Sequence, residues 1–119
     1  MSRAEHNNRI DYIEISVLDI SEAKSFYRKV FGWEFQDWGP DYASFNDGRL
    51  DGGLSRVESM KSGGPLVIFY STELEKIKDR IVESGGEITQ EIFEFPGGRR
   101  FHFSDPSGNE LAVWADPIE

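Results

Sequence analysis

The chain has no cysteine. Disulfides, thiolate metal sites and a cysteine nucleophile are therefore excluded, as fits a reducing compartment. Histidine is nearly as scarce: His6 and His102 are the only 2 in 119 residues. Basic residues are outnumbered, 13 Lys and Arg against 22 Asp and Glu, for a net charge of −9. Phosphate backbones and anionic bilayers would be repelled, so neither nucleic acid nor a membrane surface is an expected partner. No apolar run approaches the roughly 20 residues that span a bilayer. Residues 1–9 are polar and lack the apolar stretch of a secretory signal. The expectation is a soluble, cytoplasmic protein.

What is present is globular composition, 38% hydrophobic and 13% aromatic, in a length that suits one domain. Residues 10–17 alternate, with Ile13, Ile15 and Val17 on one side and Tyr12, Glu14 and Ser16 on the other. That is a strand with one face on a helix and one toward something partly polar. Ser21 is placed to cap a helix in which Ala23, Phe26, Tyr27, Val30 and Phe31 recur at helical spacing, closed by a left-handed Gly32. Three β-like runs follow, at 33–38, 42–45 and 50–57, separated by the turns Gly39-Pro40-Asp41 and Asn46-Asp47-Gly48. Residues 59–64 read as a linker.

The order then repeats. A strand at 66–70 leads to a helix with Thr72 and Glu75 as a capping box, Leu74, Ile77, Ile81 and Val82 as its apolar face, and Gly85-Gly86 at its end. A strand at 87–95 is broken by Pro96-Gly97-Gly98 and followed by a hairpin of 99–104 with 110–115. Asp19 and Glu73 open the two helices and Gly32 and Gly86 close them, each pair 54 positions apart. A duplication at fixed spacing decides the architecture. The reading is a single α+β domain over residues 1–119. It consists of two tandem βαβββ modules, about 9–58 and 65–115, whose curved mixed sheets surround a cleft with the helices outside.

Two segments carry a resemblance. Ile10-Asp11-Tyr12-Ile13-Glu14-Ile15-Ser16-Val17-Leu18-Asp19 with the Phe26-Tyr27 and Phe31-Gly32 helix resembles the opening of a glyoxalase/bleomycin-resistance (vicinal oxygen chelate) domain. Phe103-Ser104-Asp105-Pro106-Ser107-Gly108-Asn109-Glu110-Leu111 is similar to that family's last hairpin. The resemblance implies paired modules around a U-shaped cavity and association into homodimers. It also implies either metal-dependent chemistry on vicinal oxygens or sequestration of a drug. Metal-dependent members take ligands from four strand positions. Here three of these are Tyr12, Leu66 and Ala112, and the fourth falls near Asp51 to Leu54, where only Asp51 could bind a cation. Three or more converging nitrogen or oxygen donors are needed for a divalent ion, and His6 would help only if the polar tail folded inward. No metal and no cofactor are expected.

Without a metal, chemistry must come from the inner strand faces. Glu14 shares the side of Tyr12 and is a candidate general base; its plainer reading is a pair with an arginine such as Arg100, or solvent exposure. His102, between Phe101 and Phe103, would share the cleft with Arg100 and Ser104 as a neutral base or hydrogen-bond partner, or else be a surface hairpin residue. Trp114 should fall near Tyr12, and Trp33, Trp38, Phe45 and Tyr70 are further wall candidates, with ordinary core as the plainer reading of each. Tyr12, Phe45, Tyr70, Arg100 and Trp114 are thus the ligand-binding set, and Glu14 and His102 the acid–base set. Gly52-Gly53 on a strand marks a close approach of backbone or ligand, or a bulge.

Three functions stay open: a metal-free binder of a small aromatic or cationic molecule, an isomerase or lyase using Glu14 and His102, and a metal-dependent enzyme like lactoylglutathione lyase.

Overall fold

The computed structural model describes residues 7, 8 and 10–118. Its elements run β1 (Tyr12–Val17), α1 (Ile20–Phe31), β2 (Glu34–Asp37), β3 (Tyr42–Asn46), β4 (Asp51–Arg56), β5 (Val67–Tyr70), α2 (Leu74–Glu83), β6 (Glu87–Phe95), β7 (Gly98–Ser104) and β8 (Glu110–Ala115). They form two four-stranded sheets of like topology, β1-β4-β3-β2 and β5-β8-β7-β6. In each the first strand pairs parallel with the last, and the remaining pairs are antiparallel. The duplicated α+β architecture is therefore present. Among the described residues no helix is long and apolar enough to cross a membrane.

Helix α1 forms where an apolar stripe can be buried: Ile20, Ala23, Phe26, Tyr27 and Val30 all are. Each large side chain so buried stabilises the fold by roughly 1.5–3 kcal/mol. Its cap is Asp19, whose carboxylate accepts from the Glu22 amide at 2.8 Å. The expected cap, Ser21, lies one residue inside the helix, because the chain turns helical early enough to bury Ile20. Gly32 ends α1 at φ 73°, as expected.

Helix α2 departs further from expectation. The residue before it is Glu73, which makes no side-chain cap; instead Ser71 Oγ accepts the Glu73 amide at 3.1 Å. Glu75 reaches Arg99 at 2.7 Å rather than Thr72, so there is no capping box. Val82 is 54% exposed, because the stripe of Leu74, Ile77 and Ile81 already fills the sheet side. The left-handed position is Gly85, at φ 102°. Gly86 is needed for packing: a Cβ there would sit 2.6 Å from Ile81 and 3.1 Å from Phe26.

One core serves both modules. Phe31 stacks on Phe69 at 4.0 Å between ring centroids, and Phe26 meets Phe103. A second stack runs Tyr27, Trp33, Phe45, with centroid spacings of 4.4 and 4.0 Å. The turn after β7 clasps the modules together. Asn109 Nδ2 donates to the Ser16 carbonyl at 2.7 Å, and Ser107 Oγ accepts the Leu18 amide at 2.9 Å. Buried Asp105 accepts the Tyr27 hydroxyl at 2.8 Å.

Candidate functional site

Strand alternation turns Ile13, Ile15 and Val17 inward to the core and leaves Tyr12, Glu14 and Ser16 on the open face of the first sheet. The register places Asp51, Gly53 and Ser55 of β4 and Tyr42, Ser44 and Asn46 of β3 beside them. There Tyr12 Oη and Tyr42 Oη are 2.5 Å apart, and Tyr42 Oη donates to Glu14 Oε2 at 3.0 Å. Desolvation first, and then the bonds to Tyr12 and Glu14, push the Tyr42 phenol above the usual tyrosine range.

This cluster exists because residue 53 is glycine. A Cβ at Gly53 would lie 1.9 Å from Tyr42 Oη and 2.7 Å from Tyr12 Oη, so the two phenols occupy the space of its missing side chain. On the core face a Cβ at Gly52 would meet the Phe45 ring at 2.2 Å and the Ile13 carbonyl at 2.3 Å. The close approach expected at Gly52-Gly53 is thus made by this chain's own side chains. The β4 pairings run without a bulge.

The same register gives a place in β4 to the fourth ligand position that the resemblance implies. Ala112 pairs with Ile68, whose counterpart 54 residues earlier is Glu14, and Glu14 pairs with Gly53. By that correspondence the four positions that the resemblance implies are Tyr12, Gly53, Leu66 and Ala112. Asp51 is instead opposite Tyr12 and accepts from Asn46 Nδ2 at 2.7 Å. Gly53, Leu66 and Ala112 offer no side-chain donor, and phenols fill the space above Gly53. Among the described residues no three His, Asp or Glu side chains are grouped to hold an ion. The side chains at these positions do not make a donor set for a divalent ion. His6 lies outside the described residues.

On the open face of the second sheet stand Arg100, His102 and Ser104, flanked by Trp114, Ala112 and Glu110. His102 is only 7% exposed; its Nδ1 is 3.1 Å from Glu110 Oε2, and its Nε2 is buried with no hydrogen-bond partner among the described residues. Arg100 lies over Phe93 and Phe95, 5.3 and 5.7 Å from their centroids, with its Nε buried and without a partner among the described residues. Tyr70 packs edge-on to Trp114 at 5.0 Å and bonds to Asp116, which raises its phenol pKa.

These positions revise several expectations. Glu14 and His102 stand on different sheets with different hydrogen-bond partners, Tyr42 and Glu110. No ion pair joins Glu14 to Arg100 among the described residues. Trp114 sits beside Tyr70 and Phe95 rather than near Tyr12. Trp33 and Phe45 are core residues stacked on each other, because Phe45 shares the side of Ala43 and not of Tyr42; Phe45 still reaches a shallow depression it shares with Tyr12 and Asp51. Trp38 is exposed and donates to Ser44 Oγ at 3.0 Å. Tyr42 and Glu110 were missed, and Gly53 was expected only as a close approach, not as the partner of Glu14 in the register. The signal for Tyr42 and Gly53 was the turn at 46–50, which makes Asn46 face Asp51 and so sets Ser44 against Gly53.

Between the modules lies a groove of about 830 Å³. Tyr12, Glu14 and Ser16 form one wall; Ile68 and Glu110 form another, and the 57–66 connection, with Met60, Lys61 and Leu66, closes a side. Such a volume suits a small organic molecule.

Residues 9–113 match the family model described as the Glyoxalase/Bleomycin resistance protein/Dioxygenase superfamily. A putative glyoxylase, CFP32, of Mycobacterium tuberculosis is 25% identical over 118 residues, covering 87% of this chain and 44% of that protein. The chain thus spans less than half the length of that relative. A glyoxalase-related enzyme from Fulvimarina pelagi superposes with a TM-score of 0.80 at 20% identity, covering 93% of this chain and 90% of that one. A mutant of the fosfomycin resistance protein FosX of Listeria monocytogenes, complexed with Mn(II) and a dihydroxypropylphosphonic acid, gives 0.80 at 20% identity, covering 94% and 93%. At these identities the structural likeness is one of fold.

Proposed function

Because this chain belongs to the glyoxalase/bleomycin resistance protein/dioxygenase superfamily yet carries Tyr12, Gly53, Leu66 and Ala112 at the ligand positions, we propose that it binds a small aromatic or cationic molecule without a metal. The observation that carries this reading is the occupation of the Gly53 space by Tyr12 and Tyr42. Phenols and a carboxylate replace the donor set there, and the groove beside them has the size and mixed walls of a ligand site. The cytoplasm is the expected compartment, in line with the absence of cysteine. A homodimer is the expected assembly. Trp38 on one open face and Tyr70 on the other, both exposed and outside the groove, leave apolar surface for a second copy to cover.

Thermal-shift screening in the presence of a chelator tests the reading. A compound that raises Tm equally with and without chelator, and whose effect is lost in Tyr12→Ala, supports it. Stabilisation that appears only with added metal contradicts it.

A second reading, acid–base chemistry on a carbonyl compound, is favoured by the His102–Glu110 contact at 3.1 Å, which orients the imidazole. Turnover lost in His102→Gln with binding retained would support it. Binding with no turnover of carbonyl substrates would leave the first reading alone.

A further inference from the structure

The hydrogen bonds of the first sheet have a forced direction. A phenol owns one O–H. Tyr42 gives its proton to Glu14 Oε2, so in the 2.5 Å contact the donor is Tyr12 and the acceptor Tyr42. Both phenolic protons are spent inside the cluster. What the cluster has left to offer is the lone pairs of Tyr12 Oη and the second carboxylate oxygen of Glu14, acceptors only, and both residues line the groove. An oxyanion or carbonyl arriving there finds no proton to take, whereas an N–H donor finds two oxygens.

The rest of the groove agrees. The groove is also lined by a second carboxylate, Glu110, and by Ile68, Leu66 and Met60 as apolar surface. Lys61, exposed on the connecting segment, is the one cationic lining residue among those described. The net charge of −9 favours approach of a cation over that of an anion.

We propose that the groove between the modules selects a monocationic amine or amidine with an apolar body, its nitrogen held by Tyr12 and Glu14 and its body against Ile68 and Leu66. This rests on metal-independent binding in the groove and adds the charge and polarity of what is bound.

Three compounds of nearly one shape test it: phenethylamine, phenethyl alcohol and hydrocinnamate, titrated into the full chain with chelator present and followed by NMR. The amine should shift Tyr12 and Ile68 resonances saturably at millimolar concentration, bind about tenfold tighter than the alcohol, and exceed the acid by more. Glu14→Gln should cost the amine about tenfold while leaving the alcohol unchanged. Tyr42→Phe should narrow the gap between amine and alcohol, because Tyr12 then has a free proton to donate outward. An unchanged melting curve shows that each variant folds.

Alcohol or acid binding as tightly as the amine, amine binding indifferent to Glu14→Gln, or shifts confined to residues outside the groove would each overturn the selectivity. If hydrocinnamate binds best, charge selection fails while metal-free binding stands. If none of the three binds until Mn²⁺ or Ni²⁺ is added, both fail.

Discussion

Tyr27–Asp105 and Tyr42–Glu14 are both phenol–carboxylate hydrogen bonds, 2.8 and 3.0 Å long, and they serve different ends. Asp105 is buried and saturated. Besides the Tyr27 hydroxyl it accepts the amides of Ser107 and Asn109 at 3.0 and 2.9 Å and Asn109 Nδ2 at 2.9 Å. Glu14 is exposed, lines the groove and has one oxygen that Tyr42 does not use. The buried pair joins the two segments that carry the family resemblance, the Phe-Tyr helix and the Asp-Pro-Ser-Gly-Asn turn. Those motifs hold the modules together. The open pair stands where this chain departs from the family's metal enzymes, and there acceptor groups face outward. Burial with every lone pair used makes a clasp; exposure with lone pairs left over makes a binding surface.

The sharpest break in this contrast is Asp105→Ala. It leaves three buried or half-buried donors without an acceptor, takes one of two acceptors from Asn109 Nδ2, and should cost at least about 3 kcal/mol in urea unfolding. Glu14→Ala should cost less than about 0.5 kcal/mol.

The two glycines come next. Gly52→Ala drives a Cβ onto the Ile13 carbonyl and the buried Phe45 ring, and about 2–3 kcal/mol of destabilisation is expected. Gly53→Ala meets only phenol ends that can swing away, so it should cost under about 1 kcal/mol. Yet Gly53→Ala should break the Tyr12–Tyr42 bond and weaken amine binding. Equal losses of stability in the two variants would mean the second face is as tightly packed as the first.

Alkaline pH separates the phenols more gently. Burial foremost, then the Asp105 charge and hydrogen bond, raise the Tyr27 phenol well above its usual value. The unfolded chain ionises its tyrosines near pH 10. The stability contributed by Tyr27 is therefore complete below about pH 10 and is lost as pH rises beyond it toward the folded value. Tyr27→Phe should lower Tm at neutral pH by the equivalent of about 1–2 kcal/mol and flatten the alkaline limb of the Tm profile. Tyr42→Phe should leave that limb nearly as steep, because water screens a side chain so near the surface.

Much of the fold was legible because it depends on period and punctuation. The stripe of Phe26, Tyr27 and Val30, the alternation of residues 12–17 and the glycine at 32 each have a local cause. Caps were less legible: Asp19 and Ser21 are both good caps, and burial of Ile20 chooses between them. Val82 could have faced either way on a ten-residue helix until Ile81 claimed the core. The site was the least legible part. Tyr42 bonds to Glu14 across 28 residues, and Glu110 reaches His102 diagonally across a hairpin. Both contacts depend on strand register, which no single segment displays. Phe45, by contrast, could have been assigned to the core from its parity with Ala43.

The central claim, that phenols have replaced a metal site, is tested most directly by titrating the purified, chelator-treated protein with Mn²⁺, Ni²⁺ and Zn²⁺ while following Tm and bound metal by elemental mass spectrometry. The account predicts no saturable rise in Tm and no stoichiometric metal with any of the three. Tight stoichiometric binding that raises Tm and is abolished by Tyr12→Phe would contradict it, and would show the phenol to be a ligand.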